Sequence, residues 1–267
     1  METQSTGAEA CLDTGRGFQG PSAWLRRHPL SAVLVALLLL GSGVWTVKLF
    51  RLAQSVEVYR SYWADPRGER GGLVYVALGD SAAQSIGASR PERGYVGLLA
   101  KWMREETGSS VLVVNLSRAG ATVRDVLDTQ LPRLLQLQPD IVTVAVGGND
   151  IRSHNPARFA ADVEELAAAL PAGTLVADAP YFMHGRWEDD ADQAAETVAK
   201  RARAHQLQVV SLHRALRDRG AIAMLTDFAA DWFHPNDRGH RVWAAAQWTE
   251  LRRSPALTTK RGERFPL

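Results

Sequence analysis

The chain has almost no cysteine, no excess of either charge over most of its length, and no histidine pair at a metal-binding spacing. Cys11 is the single cysteine in 267 residues, so no intrachain disulfide can form, and its absence from the rest of the chain fits either side of a membrane. No apolar run precedes Cys11, which excludes the pattern of a lipid-modified cysteine. Five of the 31 basic side chains and three of the 29 acidic ones fall in the first 51 residues, which leaves 26 of each sign beyond them. A neutral domain lacks the electrostatic footprint that phosphate backbones select, so nucleic acid is excluded as a partner. His-x-x-x-His and His-Glu-x-x-His do not occur, His240 is off the helical face of His234, and His28, His154, His184, His205 and His213 are scattered. No metal is therefore expected. With 46% apolar and 22% charged residues the chain is neither disordered nor a repeat, and suffices for one large globular domain or two small ones.

One run has no charge at all. Leu30 to Val47 is uncharged and bracketed by Arg26, Arg27, Lys48 and Arg51; as a helix its length is roughly 27 Å, about the thickness of a hydrocarbon core. A core helix would rarely be apolar on every face. A cleavable secretory signal competes, but the long leader and the lack of a small-x-small site after the run favour an uncleaved anchor. The expected layout is a disordered segment over 1–29, a transmembrane helix over 30–50, a linker over 51–72 that starts as a helical continuation, a catalytic domain over 73–251 and a basic, solvated tail over 252–267. Three Lys or Arg precede the run and four follow it within twenty residues, so the positive-inside rule does not orient it. A single-pass protein with its domain outside the cytoplasm is the expectation.

Past Leu73, short apolar runs alternate with amphipathic segments. Strands are expected at Leu73–Leu78, Val111–Leu116, Ile141–Val146, Thr174–Ala177 and Leu207–Leu212, and helices at Gly94–Thr107, Ala121–Gln136, Pro156–Leu170, Asp189–Gln206 and Pro235–Leu251. Strands separated by helices pair in parallel through right-handed crossovers. The expected fold is a three-layer α/β/α sandwich with a five-stranded parallel sheet of flavodoxin-like type, in which sites form beyond the carboxyl ends of the strands.

Polar residues and glycines gather at those ends: Gly79-Asp80-Ser81, Asn115 to Gly120, Gly147-Gly148-Asn149-Asp150, and Asp231-Trp232-Phe233-His234-Pro235-Asn236 before the last helix. Each segment alone is an ordinary turn or helix cap. Together they supply the parts of acyl transfer. A serine hydroxyl is a weak nucleophile and needs a base; imidazole titrates near neutrality, so His234 fits, and Asp231 is close enough to hold its Nδ1 proton. Negative charge on a tetrahedral intermediate would meet the Ser81 N–H at a helix N-terminus, the Gly120 N–H and the Asn149 amide. The rate is expected to rise with pH as His234 deprotonates. Asp80 and Asp150 read as groups that hold the loops. Phe182, in an aromatic loop after the fourth strand, and Trp232 are candidates to line the substrate pocket or to pack as core.

These four blocks, in this order, resemble those of the SGNH/GDSL hydrolase superfamily. The resemblance covers about residues 73–250 and implies that Ser81, His234 and Asp231 form a catalytic triad, with Ser81, Gly120 and Asn149 as the oxyanion hole. One departure is Ala82-Ala83-Gln84-Ser85-Ile86-Gly87 after the serine, where many members have leucine first. The expected activity is hydrolysis of a carboxylic ester, with no metal or nucleotide cofactor, on a small-molecule, lipid or acylated-sugar ester. Deacetylation of a carbohydrate, or acyl transfer onto one, is the alternative within the superfamily. A catalytically silent ligand-binding module at a membrane is the alternative of another kind. An α/β-hydrolase is disfavoured, since no Gly-x-Ser-x-Gly elbow is present.

Overall fold

The computed structural model describes residues 29–153, 155–181 and 186–264. Phe182, His154, His184 and the leader expected to be disordered lie outside them. The chain divides into two compact units, Met1–Val47 and Lys48–Leu267.

In the first unit, the described residues belong to helix α1 (Pro29–Tyr62), which continues into the second. Its apolar window has a mean hydropathy of 2.2 and none of it is buried; Leu37, Leu38, Leu39 and Leu40 are all more than half exposed. By length and composition this helix is able to cross a hydrocarbon core.

The second unit follows the order β1 (Leu73–Gly79), α2 (Tyr95–Thr107), β2 (Val111–Asn115), α3 (Val123–Asp125), a π-turn (Val126–Gln130), α4 (Leu131–Leu134), β3 (Ile141–Ala145), α5 (Gly148–Ser153), α6 (Pro156–Ala169), β4 (Leu175–Ala177), α7 (Arg186–Ala204), β5 (Gln208–Val210), α8 (Leu212–Arg217), α9 (Ala223–Thr226), α10 (Asp237–Leu251) and α11 (Pro255–Arg264). All strand pairs are parallel and the sheet order is β2-β1-β3-β4-β5. A parallel sheet covered on both faces needs strands that are apolar on both sides. β1 meets this by alternation: Val76 and Leu78 enter the core shared with α6 and α7, while Leu73, Tyr75 and Ala77 enter the core shared with α2 and α10. The order reverses direction between β1 and β3, so the crevice beyond their carboxyl ends is the topological switch point.

Differences from the expected elements have local causes. The helix expected over Ala121–Gln136 contains a π-turn, which ends just before Pro132. Proline cannot donate to the carbonyl four residues back and its ring crowds it, so the ladder widens there. The last strand is short because Leu212 opens α8. Beyond Arg252, where a solvated tail was expected, the chain turns into α11 and sends Leu257 into the core.

The end of α1 and the chain leading to β1 are tied to the domain at several points. Tyr59 and Trp63 are buried, the Tyr59 hydroxyl donates to the Ala88 carbonyl at 2.8 Å, and Arg67 forms an antiparallel bridge with Val113 on β2, one of the two edge strands. Low apolar content over 65–72 hid this, because the contacts are backbone pairings.

Candidate active site

Two turns meet at the switch point. In the turn after β1, the Asp80 carboxylate accepts the Ala82 N–H at 2.9 Å, and the Ile86 N–H donates to the Ser81 carbonyl at 3.0 Å. Residues 81–87 are a series of turns and not the helix N-terminus expected for Ser81. In the turn before α10, Trp232 adopts φ +57°, a left-handed conformation that non-glycine residues rarely take and that clusters at functional sites. That twist lets one Asp231 oxygen accept the N–H groups of Phe233 and His234, both at 3.1 Å. Its other oxygen faces the imidazole. Asn236 anchors the base of the turn: its side-chain Oδ1 accepts the N–H groups of Arg238 and Gly239 to cap α10, and its side-chain Nδ2 donates to the carbonyls of Thr226 and Phe228, both at 2.9 Å. The two turns touch at Gly87 (φ +94°), where a Cβ would lie 2.2 Å from the Pro235 carbonyl oxygen. Only glycine permits that approach.

Their contact brings Ser81 Oγ to 2.9 Å from His234 Nε2, while His234 Nδ1 lies 2.5 Å from Asp231 Oδ2. Burial alone would raise the Asp231 carboxyl; the hydrogen bonds from the His234 side chain and backbone and from Phe233 outweigh it and hold the carboxyl below its ordinary value. An ionised Asp231 only accepts, so Nδ1 carries the proton, Nε2 is the acceptor, and the Ser81 hydroxyl donates to it. An imidazole held this way is able to take the serine proton.

Gly120 and Asn149 arrive from the neighbouring strand ends. Gly120 has φ +79° and open space where a Cβ would stand. The left-handed backbone favours glycine there. Among the described residues the N–H groups of Ser81 and Gly120 donate to no other group. Asn149 spends one amide hydrogen on the Ala121 carbonyl at 3.0 Å and has a second to offer. A cavity of about 530 Å³ collects Ser81, Gly120, Asn149, Asp231, Trp232 and His234 in its wall. Trp232 is 45% exposed and faces this cavity. A second cavity, of about 50 Å³, also reaches Ser81 and His234 and is lined by Tyr181, Leu216, Phe228 and Trp243.

The neighbouring carboxylates are structural. Burial pushes Asp80 up to about 6, against the Ala82 N–H and the nearby His234. It also pushes Asp150 up to about 6, although that carboxylate accepts the Val123 N–H at the start of α3. His240, weighed above for a metal pair, is fully buried and donates through Nε2 to the Ile86 carbonyl.

A family profile described as "GDSL-like Lipase/Acylhydrolase family" matches residues 77–242. The chain belongs to this family. As a GDSL-type protein it is a carboxylic ester hydrolase. Solved structures share the fold: an α/β-hydrolase enzyme from the metagenome of Lake Arreo, Spain (23% identity, 67% of this chain, 95% of that one, TM-score 0.57), an acetyl xylan esterase from Geobacillus stearothermophilus (22%, 68%, 95%, 0.57), and a lipase/acylhydrolase from Enterococcus faecalis (20%, 72%, 96%, 0.55). No curated protein sequence matches the chain.

Several residues around the GDSL site were not anticipated. Gln130, in the π-turn, donates to the Gly79 carbonyl and accepts the Gly79 N–H at 2.8 and 2.9 Å, which fixes the strand end before Asp80. Gln84 bonds the loop that carries Gly120. Val56, Arg152 and Trp187 complete the wall of the wider cavity, with the Arg152 guanidinium 5.1 Å from the Phe233 ring centroid. Trp187 belongs to the aromatic stretch after the fourth strand that the sequence offers as a pocket wall, whereas nothing in the local pattern marks Gln130, Val56 or Arg152. The other signal was a buried-type amide, Gln84, in an otherwise small-residue turn.

Proposed function

We propose that this GDSL hydrolase is a membrane-anchored serine esterase that works through an acyl-enzyme. The hydrogen-bonded line Asp231–His234–Ser81, ending in a cavity walled by Gly120 and Asn149, carries the reading. His234 Nε2 accepts the Ser81 proton as Oγ bonds to the ester carbonyl carbon. The oxygen that becomes negative is met by the N–H groups of Ser81 and Gly120 and by the Asn149 amide. The tetrahedral adduct collapses, the C–O bond to the alcohol breaks, and the alcohol leaves with the proton held on His234. A water molecule then gives its proton to His234, attacks the acyl carbon, and the acid departs as Ser81 regains its proton. No metal or nucleotide takes part in this scheme. Labelling with a fluorophosphonate, competed by esters of graded acyl length, tests nucleophile and pocket together. Labelling that persists in Ser81→Ala would sink the serine assignment, and no labelling or turnover at any acyl length would favour a silent binding module.

A second reading concerns the substrate. The narrow apolar cavity suits a short acyl group. The wide one, with Trp187, Trp232 and Arg152, suits a bulky polar alcohol such as a sugar ring stacked on an indole. A fold neighbour described as an acetyl xylan esterase is compatible with this. Release of acetate from acetylated oligosaccharides, faster than hydrolysis of long-chain esters, is the expected result; the reverse order points to a lipid ester. Transfer of the acyl group to a sugar hydroxyl in place of water would show as an acylated acceptor.

Residues 30–50 serve in this proposal as a single-pass anchor with the catalytic domain outside the cytoplasm. Retention in the membrane pellet after alkaline carbonate, with the domain open to added protease on intact cells, is expected.

A further inference from the structure

Gln84 is 3% exposed and every polar group it has is engaged. Its side-chain amide donates to the Ser117 carbonyl at 3.0 Å, its side-chain carbonyl accepts the Ala119 N–H at 3.0 Å, and its own N–H donates to the Asp80 carbonyl at 3.2 Å. One side chain therefore fastens the Ser81 turn to the peptide that precedes the Gly120 N–H. The remaining group, the Gln84 carbonyl, accepts the indole N–H of Trp63 at 3.3 Å. Trp63 is 5% exposed and packs with Ala82, Ala83 and Tyr95. It lies outside the family-matched span 77–242, directly after α1.

We infer that Gln84 is a positioning residue for the oxyanion donors, and that Trp63, supplied by the segment ahead of the family domain, holds Gln84 in place. The inference rests on the serine-esterase reading above. A nucleophile and a donor from loops that are distant in sequence must agree to a fraction of an ångström, because a misplacement of about 1 Å can lower a rate by roughly a hundredfold. Asn115 braces the same junction, donating to the Ala83 carbonyl at 2.8 Å and accepting the Ser117 N–H and hydroxyl. It bonds Ser117 and not Ala119, so among the described residues Gln84 supplies the side-chain bond to the Ala119 N–H, beside the backbone bonds from the Arg118 N–H to the Gly79 carbonyl at 3.2 Å and from the Ala121 N–H to the Arg118 carbonyl at 3.0 Å.

The test uses the full chain in detergent micelles with a short-chain nitrophenyl ester. Gln84→Met keeps the volume and removes both side-chain bonds; Trp63→Phe keeps the ring packing and removes the N–H. Gln84→Met is expected to lower kcat about 30- to 100-fold with little change in KM, and Trp63→Phe about 3- to 10-fold. Combined, they should be no worse than Gln84→Met within about twofold, because Trp63 acts through Gln84. Both should move the Gly120 amide resonance of 15N-glycine-labelled protein. Unchanged kcat in folded Gln84→Met, losses that multiply in the double variant, or an unmoved Gly120 resonance would overturn the inference. If Gln84→Met does not fold, Trp63→Phe decides alone by kcat and resonance. Hydrolysis that survives Ser81→Ala would fell the serine-esterase reading separately, since the resonance reports the Gln84 contact without turnover.

Discussion

Ser81 and its partners make the residue-scale claim the simplest to check. Ser81→Ala leaves the buried turn intact and removes the oxygen proposed to attack, so ester hydrolysis should fall by at least about a thousandfold with an unchanged thermal midpoint. Asn149→Ala deletes one donor and should lower kcat about 100- to 1000-fold with KM nearly constant. Asp80 gives a different kind of outcome. Burial lifts its carboxyl from 3.8 to about 6, so between those values the folded chain holds a proton that the unfolded chain has lost. Stability from this group is present at low pH and falls as pH rises through about 6. Asp80→Asn can still accept the Ala82 N–H, and should therefore stabilise the protein by about 1–3 kcal/mol at pH 8 while flattening that part of the stability profile; equal midpoints for both proteins across that range would refute it.

At the scale of elements, the site depends on turns held by side chains from elsewhere. Asn236 is the clearest case, as both cap of α10 and tie for the carbonyls of Thr226 and Phe228. Asn236→Ala should lose about 1–2 kcal/mol from the cap, more if the buried carbonyls find no water, measured as a lower denaturation midpoint. Such ties mark the limit of what could be read in advance. Strand positions were legible because doubly covered parallel strands are uninterrupted apolar runs, and the four polar segments were legible because the sheet delivers each to one edge. The bonds of Gln84 to Ser117 and Ala119 and of Gln130 to Gly79 have no periodicity and join residues from 33 to 51 positions apart, so spacing carries no trace of the partners, even where an amide such as Gln84 stands out in a small-residue turn. The π-turn was visible only as Pro132 inside a helical pattern.

For the molecule as a whole, the proposed anchor and the catalytic fold centre on different units. Removing residues 1–47 should move the enzyme from the membrane to the soluble fraction with kcat/KM on a short ester unchanged, because Val56, Tyr59 and Trp63 all remain. A tenfold loss on that truncation would mean that the apolar segment contributes to the site.

The bridge between Arg67 and Val113 reaches beyond catalysis. β2 ends the sheet, and an outer strand with bare amides and carbonyls is a template on which a second copy can zip. Here the Arg67 N–H and carbonyl occupy the Val113 pair at 2.9 and 2.7 Å, so the few residues ahead of β1 act as a hem that takes up the middle of this edge and leaves less of it for a second copy to pair with.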